Sequence, residues 1–453
     1  VRAVRALSPL LRRAGGRDAR ITTGLACTAF AVVTALALSV VGALLAFQAR
    51  AAEPVGDDDG MVFGYLYVSL SWTALALLVV PLVTLGGAAA RLGVARRDAR
   101  LSALRLIGVT PREVVGLTLV ETAWQGLVGA VAGCFLYVAL IPFWTLFVFQ
   151  DRPFTFGELW VGPLVLAAAL VVVPLLAAGS GAVSLRQVVV SPLGVARRVR
   201  PPGLRAVRVV VAGALILAFI VVSVAMRSFG AVAIGVLVGS FGVAFLALNA
   251  IGPWVLRLFG RRRLTTARTA EQLLAARRLL DDPKAAWRVV GGLGLAGFVA
   301  GALAVVPALA AAQAERDATS AVIGRDLTTG GLLTLTLTFV VAAVSAGITQ
   351  AASVLDRRRE YALQHLAGLP VELLDRVRRR EVLGPLVLVS VGSAALALAM
   401  LSPLFGFLAL NSMTGPVLLV ACLVLGCGLV LAATEASRPL LRSVLAETVV
   451  RAD

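Results

Sequence analysis

Histidine and lysine are almost missing from this chain: His365 and Lys284 are the only ones in 453 residues. A lone histidine cannot build a multi-histidine metal centre, and His365 is expected to be exposed on a helix without a metal or catalytic role. Cysteine is scarce too. Cys27, Cys134, Cys422 and Cys427 all sit inside apolar runs, where cysteine acts as a small core residue. Cys422 and Cys427 stand five apart, a spacing of no common metal site, and no disulfide framework is indicated. No G-x-x-x-x-G-K followed by Ser or Thr occurs, so the chain has no P-loop with which to hydrolyse ATP. Long polar stretches are also lacking. The segment 313–329 between two apolar runs is too short for a folded domain.

What is present is apolar. Hydrophobic residues make up 59% of the chain and the mean hydropathy is +0.95. Uncharged runs such as Ile21–Phe47 are long enough to cross a bilayer, which makes the chain an all-α, polytopic membrane protein. Ten spans are expected, near 21–47, 61–92, 113–147, 160–182, 207–226, 229–259, 289–312, 330–355, 382–411 and 415–434. The first run follows basic residues as a signal peptide would, but it is too long for a signal h-region and is read as a retained span. Pro142 is expected to end the third crossing, with interfacial aromatics after it.

The net charge of +18 does not point to nucleic acid, because the arginines cluster between apolar spans rather than along one polar face. Placing both termini in the cytoplasm leaves about five of the 42 Lys and Arg outside: Arg50, Arg152, Arg227, Arg316 and Arg325. The acidic stretch 53–60 then also faces out.

Two charged segments interrupt the apolar pattern. "ARRDARLSALRLIGVTPREVVGLTLVE" covers 95–121 and "RRREYALQHLAGLPVELLDRVRRRE" covers 357–381. At an offset of 260 positions Arg97 meets Arg357, Leu106 meets Leu366, Gly108 meets Gly368 and Glu121 meets Glu381, whereas Arg100 meets Glu360. Each segment follows a long span and reads as a short helix, a glycine, a proline-containing turn and a new helix entering the membrane at Glu. The flanks repeat as well: 10–24 and 275–292 each precede the first span of a set of four, and 184–193 and 437–445 follow its last. The chain therefore divides into a four-span module at 1–200, a two-span linker at 201–262 and a second four-span module at 263–453. Both modules start and end on the same side, as parallel repeats do.

The paired segments, each a basic helix with Leu and Gly at fixed offsets and a membrane-entry Glu, resemble FtsX-like permeases, the membrane subunits of MacB- and BceB-type ABC transporters. The resemblance covers roughly Leu10–Leu193 and Ala275–Leu445. It departs from the family in having only short loops at 48–60 and 313–329, where a large extracytoplasmic domain is usual. Duplicated members occur in high-GC bacteria, which suits the near absence of lysine. The resemblance implies a permease subunit in the bacterial cytoplasmic membrane, with ATP and magnesium used by separate ATPase subunits, two per chain, and no cofactor held by this chain. It implies export or extraction of an amphipathic or lipid-like compound or an antimicrobial peptide.

A motor pushing on such a chain needs a rigid helix joined directly to spans, and 95–114 and 356–375 supply two. Their ATPase-coupling candidates are Arg96, Arg97, Arg100, Leu104 and Gly108, with Arg357, Arg358, Arg359, Glu360, Leu363 and Gly368. The leucines form a stripe that suits a partner's groove. The arginines suit acidic partner residues, lipid phosphates or plain positive-inside anchoring. Glycine suits a left-handed helix cap. Glu121 and Glu381 enter the membrane, where a carboxylate is costly without a partner, and Arg378 and Arg380 are near enough in sequence to pair with Glu381. Two rivals stand beside the transporter reading: an FtsX-type signalling or mechanotransmission subunit, and an ion-coupled secondary transporter.

Overall fold

The computed structural model describes residues 17–53, 64, 66–75, 111–189, 233–305, 318–405 and 414–435. The chain is an all-α polytopic membrane protein. In the first half, α1 (Arg17–Ala51) is followed by a short apolar helical stretch, Leu66–Leu75, and by α2 (Pro111–Trp144). Pro111 opens α2, where its missing N–H costs nothing. A two-stranded hairpin, β1 (Val148–Phe149) and β2 (Arg152–Pro153), comes next, with Val148 opposite Pro153 and Phe149 opposite Arg152. Its two turn residues, Gln150 and Asp151, both have positive φ (56° and 57°), as a type I′ turn requires. Thr155 and Glu158 then form a reciprocal capping box that opens α3 (Phe156–Leu159), ahead of α4 (Gly162–Val189).

The second half holds α5 (Ala233–Thr265), α6 (Ala270–Asp281), α7 (Pro283–Leu303), α8 (Ala318–Asp356), α9 (Arg358–Leu366), α10 (Val371–Phe405) and α11 (Thr414–Glu435). Thr269 caps α6, and Asp282 caps α7 by accepting from the Ala285 N–H.

Seven helical stretches among the described residues are long and apolar enough to cross a membrane: α1, α2, α3 with α4, α7, α8, α10 and α11. They coincide with the first, third, fourth and last four of the ten expected spans. The sixth expected span falls on α5. The fifth, and the second apart from Leu66–Leu75, lie outside the described residues. Phe135, Leu164 and Leu425 are exposed on the outward faces of α2, α4 and α11, as lipid contact demands.

Several boundaries differ from the sequence reading: α4 runs on to Val189, α7 starts at Pro283 and is capped at Ala304, α10 starts at Val371, and α8 differs most. Residues 318–329, assigned there to a loop, are the first turns of α8. Arg325 and Asp326 lower the local hydropathy, yet Asp326 is buried because a tyrosine hydroxyl and a backbone N–H reach it.

Helix packing follows the small residues. α1 packs along α2, and α7 along α10. The first seam is closed at Gly133, where an added Cβ would stand 2.7 Å from the Ala31 carbonyl oxygen. The second is closed at Gly301, where it would stand 2.9 Å from the Ala394 Cα. α1 also meets α8, and a shared core of Ala26, Ala29, Phe30, Val341 and Ile348 joins the two halves. α5 packs on α6, α7 and α10, with Leu256 buried beside Leu279 and Trp287.

Candidate functional site

The arginine-rich end of the second half centres on α9. This helix continues α8 after a single-residue break at Arg357 (φ −95°, ψ 14°). The ladder still bridges the break, because the Arg357 N–H donates to Ser353 O and the Tyr361 N–H to Arg357 O. α9 ends in a Schellman cap: the Leu369 N–H donates to Gln364 O and the Gly368 N–H to His365 O, with Gly368 at φ +91°. Leu369 then packs beside Val354, Tyr361 and Leu374. His365 contacts the Leu369 carbonyl through Nδ1. Val371 begins α10 immediately after the turn. The segment is thus a short, braced strut between two spans.

One face of the strut is pinned to α6. The Arg278 guanidinium donates to the Tyr361 hydroxyl at 3.1 Å and to Gln364 Oε1 at 3.2 Å. It also lies 4.9 Å over the Tyr361 ring. Burial alone would lower the pKa of Arg278, but Tyr361 and Glu381 beside it turn the net shift upward. The opposite face is bare: Leu363 is 58% exposed and Leu366 71%. Glu360 is exposed in the first turn, where a carboxylate suits the helix dipole.

Glu381 is paired, but not with its sequence neighbours. Its carboxylate lies 3.7 Å from Arg278 and 3.8 Å from Arg357. Arg378, 2% exposed, instead turns to Asp375, to the Thr434 carbonyl and to Glu435. Arg380 turns to Glu271 and Thr269 at the start of α6. Arg380, one position before Glu381, projects in another direction, whereas Arg378, three positions before, has the spacing to pair but is taken by Asp375 and by Thr434 and Glu435 of α11. Glu271 also takes Arg376, so α6 is held to α10 at its start and to α9 near its end.

The remaining sequence candidates fall as follows. Arg96, Arg97, Arg100, Leu104 and Gly108 lie outside the described residues. Arg358 and Arg359 form the first turn of α9 by their backbone, and their side chains lie outside those described. Glu121 is half-buried on α2.

The hairpin end of the bundle carries a second network. Arg50, at the end of α1, donates to Glu158 at 2.7 and 3.2 Å, to Phe149 O at 2.8 Å and to Pro153 O at 2.9 Å. Asp326 on α8 accepts from the Tyr67 hydroxyl and from the Gln150 N–H, both at 2.7 Å. Arg325 beside it reaches Asp151 in the turn at 2.6 Å. Between α1, the Leu66–Leu75 stretch, the hairpin, α7 and α8 lies a cavity of about 470 Å³.

Sequence reading missed Arg278, Tyr361 and Asp326. The only signal for Arg278 was the amphipathic pattern of 270–281. Asp326 carried none, because it sits in a stretch that hydropathy assigns to a loop.

The description "FtsX-like permease C-terminal" belongs to a family model that matches residues 87–191, which include α2, the hairpin, α3 and α4. No curated protein and no solved structure matches the chain.

Proposed function

We propose, from the match of residues 87–191 to the FtsX-like permease C-terminal family model, that this chain is an FtsX-like permease and the membrane subunit of an ABC transporter, moved by separate ATPases that dock on α9 and on its sequence copy at 95–114. Permeases of this family are typically not enzymes themselves, ATP being hydrolysed in partner subunits.

One observation carries the reading. α9 is joined to α8 without a flexible linker and to α10 through a fixed turn, while Leu363 and Leu366 stand bare on the side away from α6. Covering a leucine fully is worth about 1.5–3 kcal/mol, so a groove that takes both gains a useful share of a docking energy. A push on α9 is delivered directly to two membrane helices, and through Arg278 to α6. Two such segments imply two ATPases on one chain. ATP and magnesium stay in those partners, and this chain holds no cofactor. The orientation that suits the arginines puts α9 in the cytoplasm of a bacterial cell and the hairpin outside. With only short connections on that outer side by sequence, and a small hairpin among the described residues, the cargo is amphipathic or lipid-like and moves within the bilayer.

The test is co-purification with the ATPase encoded beside this chain. The pair Leu363→Glu and Leu366→Glu, both on exposed positions, is expected to abolish association and ATPase stimulation while the permease still folds. Unchanged association would contradict docking on α9.

A further inference from the structure

The cavity at the hairpin end has an uneven wall. Among its described lining residues Asp326 is the only charged one, and the rest is built from side chains such as Phe47, Trp144, Phe149 and Leu337. Its hydroxyls are mostly spent within their own helices: Ser39 donates to Ala35 O, Ser71 to Tyr67 O, Thr73 to Ser69 O and Thr334 to Gly330 O. Tyr67 donates to Asp326 itself.

Asp326 is 2% exposed, and its two oxygens differ. Oδ2 takes both hydrogen bonds, from Tyr67 and from Gln150 N–H. Oδ1 is buried and accepts no hydrogen bond among the described residues. The nearest cation among the described residues is Arg325, whose Nε is 3.7 Å from Oδ1, but that guanidinium is half-exposed and makes its short contact, 2.6 Å, with Asp151. A buried carboxylate oxygen without a donor is costly, and in a membrane protein such a group marks a place where a partner arrives. Phe47, Tyr67, Phe149 and Phe154 cluster beside it, with ring centroids 5.3–5.5 Å apart along Phe47. Aromatic faces attract ammonium groups and repel anions.

We propose that this cavity binds a cationic amphiphile: an amine head donates to Asp326 Oδ1 among the aromatic rings, and an apolar chain lies between α1, α7 and α8. The volume of about 470 Å³ is that of a small-molecule site. Because the cavity is walled by both halves of the chain, movement of α8 against α1 changes its shape. The assignment rests on the permease reading, which it supplies with a cargo class, but its test does not use the ATPase.

Radiolabelled dodecylamine binding to the detergent-solubilised chain is measured by scintillation proximity, with unlabelled dodecylamine, dodecanol and dodecanoate as competitors of equal length. Dodecylamine is expected to compete at about tenfold lower concentration than dodecanol, with dodecanoate weakest, because only the amine forms a charge-assisted bond. Asp326→Asn, which keeps an oxygen for Tyr67 and Gln150, is expected to weaken amine binding about tenfold and to remove the preference over the alcohol. Ala302→Phe leaves the carboxylate in place and fills the cavity from α7, so it is expected to abolish binding of amine and alcohol alike; it decides the matter if Asp326→Asn does not fold. Equal competition by all three compounds, or amine binding untouched by both variants, overturns the proposal. Either failure leaves the Leu363 and Leu366 association test standing, and failure of that test leaves this one standing.

Discussion

The Arg278 guanidinium bonds the Tyr361 hydroxyl at 3.1 Å while lying 4.9 Å over the centre of the same ring. The two residues are 83 positions apart, and their contact fixes α9 against α6. Tyr361→Phe keeps the ring and removes one hydrogen bond, so a loss of about 1 kcal/mol is expected. Tyr361→Ala also empties a fully buried site shared with Val354 and Leu374, and a loss of about 3–5 kcal/mol is expected. Thermal unfolding of the purified chain orders the three proteins. ATPase stimulation should fall in the alanine variant and persist in the phenylalanine one, since only the former frees the strut. Equal stability of both variants would remove Tyr361 from the brace.

Gly368 tests the turn that joins the strut to α10. Its φ of +91° lies where an L side chain is strained, yet an added Cβ would meet no atom within 4 Å. The whole cost of Gly368→Ala is therefore conformational, about 1–2 kcal/mol. Gly368→Asn is expected to cost less, because asparagine tolerates left-handed backbone better than alanine. A clash-based explanation predicts the reverse order, since asparagine is the larger residue. Unfolding midpoints of the two variants separate these accounts.

Local pattern made part of this architecture legible. The apolar runs located α1, α2, α4, α7, α8, α10 and α11, because a span is a property of contiguous sequence, and they placed both ends of α1, α2 and α11 closely, whereas the starts of α8 and α10 and both ends of α7 were misplaced. Glycine at 368 announced a helix end for the same reason. Partner choice was not legible. Glu381 reads as the neighbour of Arg378 and Arg380, and only the folded chain brings Arg278 and Arg357 to it. Asp326 was hidden more completely. A charge depresses hydropathy whether it ends a helix or sits buried within one, and the difference depends on Tyr67 and Gln150, which are 259 and 176 positions away.

Gly301 and Gly392 form an internal comparison for helix packing. A Cβ on Gly301 would stand 2.9 Å from the Ala394 Cα and 3.0 Å from the Ala397 Cβ, so Gly301→Ala must push α7 away from α10. A loss of about 1–3 kcal/mol is expected. Gly392 lies on α10 itself with nothing within 4 Å of the same added atom. Gly392→Ala is expected to be neutral or to stabilise by about 0.5–1 kcal/mol, as alanine does in a helix interior. Both are measured by the same unfolding assay. A Gly301→Ala protein as stable as the parent would show that the seam has slack.

Arg50 tests the hairpin end. Only 4% exposed, it spreads its donors over Glu158, Phe149 O and Pro153 O, and covers the Phe154 ring at 4.4 Å. A planar fork reaches three acceptors at once, whereas an ammonium is a point charge. Arg50→Lys is therefore expected to restore little of what Arg50→Met loses. Removing one partner of a buried pair costs about 3–5 kcal/mol, chiefly from the charge left behind. Adding Glu158→Gln to Arg50→Met removes that charge and is expected to recover part of the loss, although the glutamine also weakens the capping box with Thr155. Limited proteolysis across 148–155 and thermal unfolding report the two consequences separately. If Arg50→Lys matches the parent in both, the charge alone holds the hairpin and the fork geometry is dispensable.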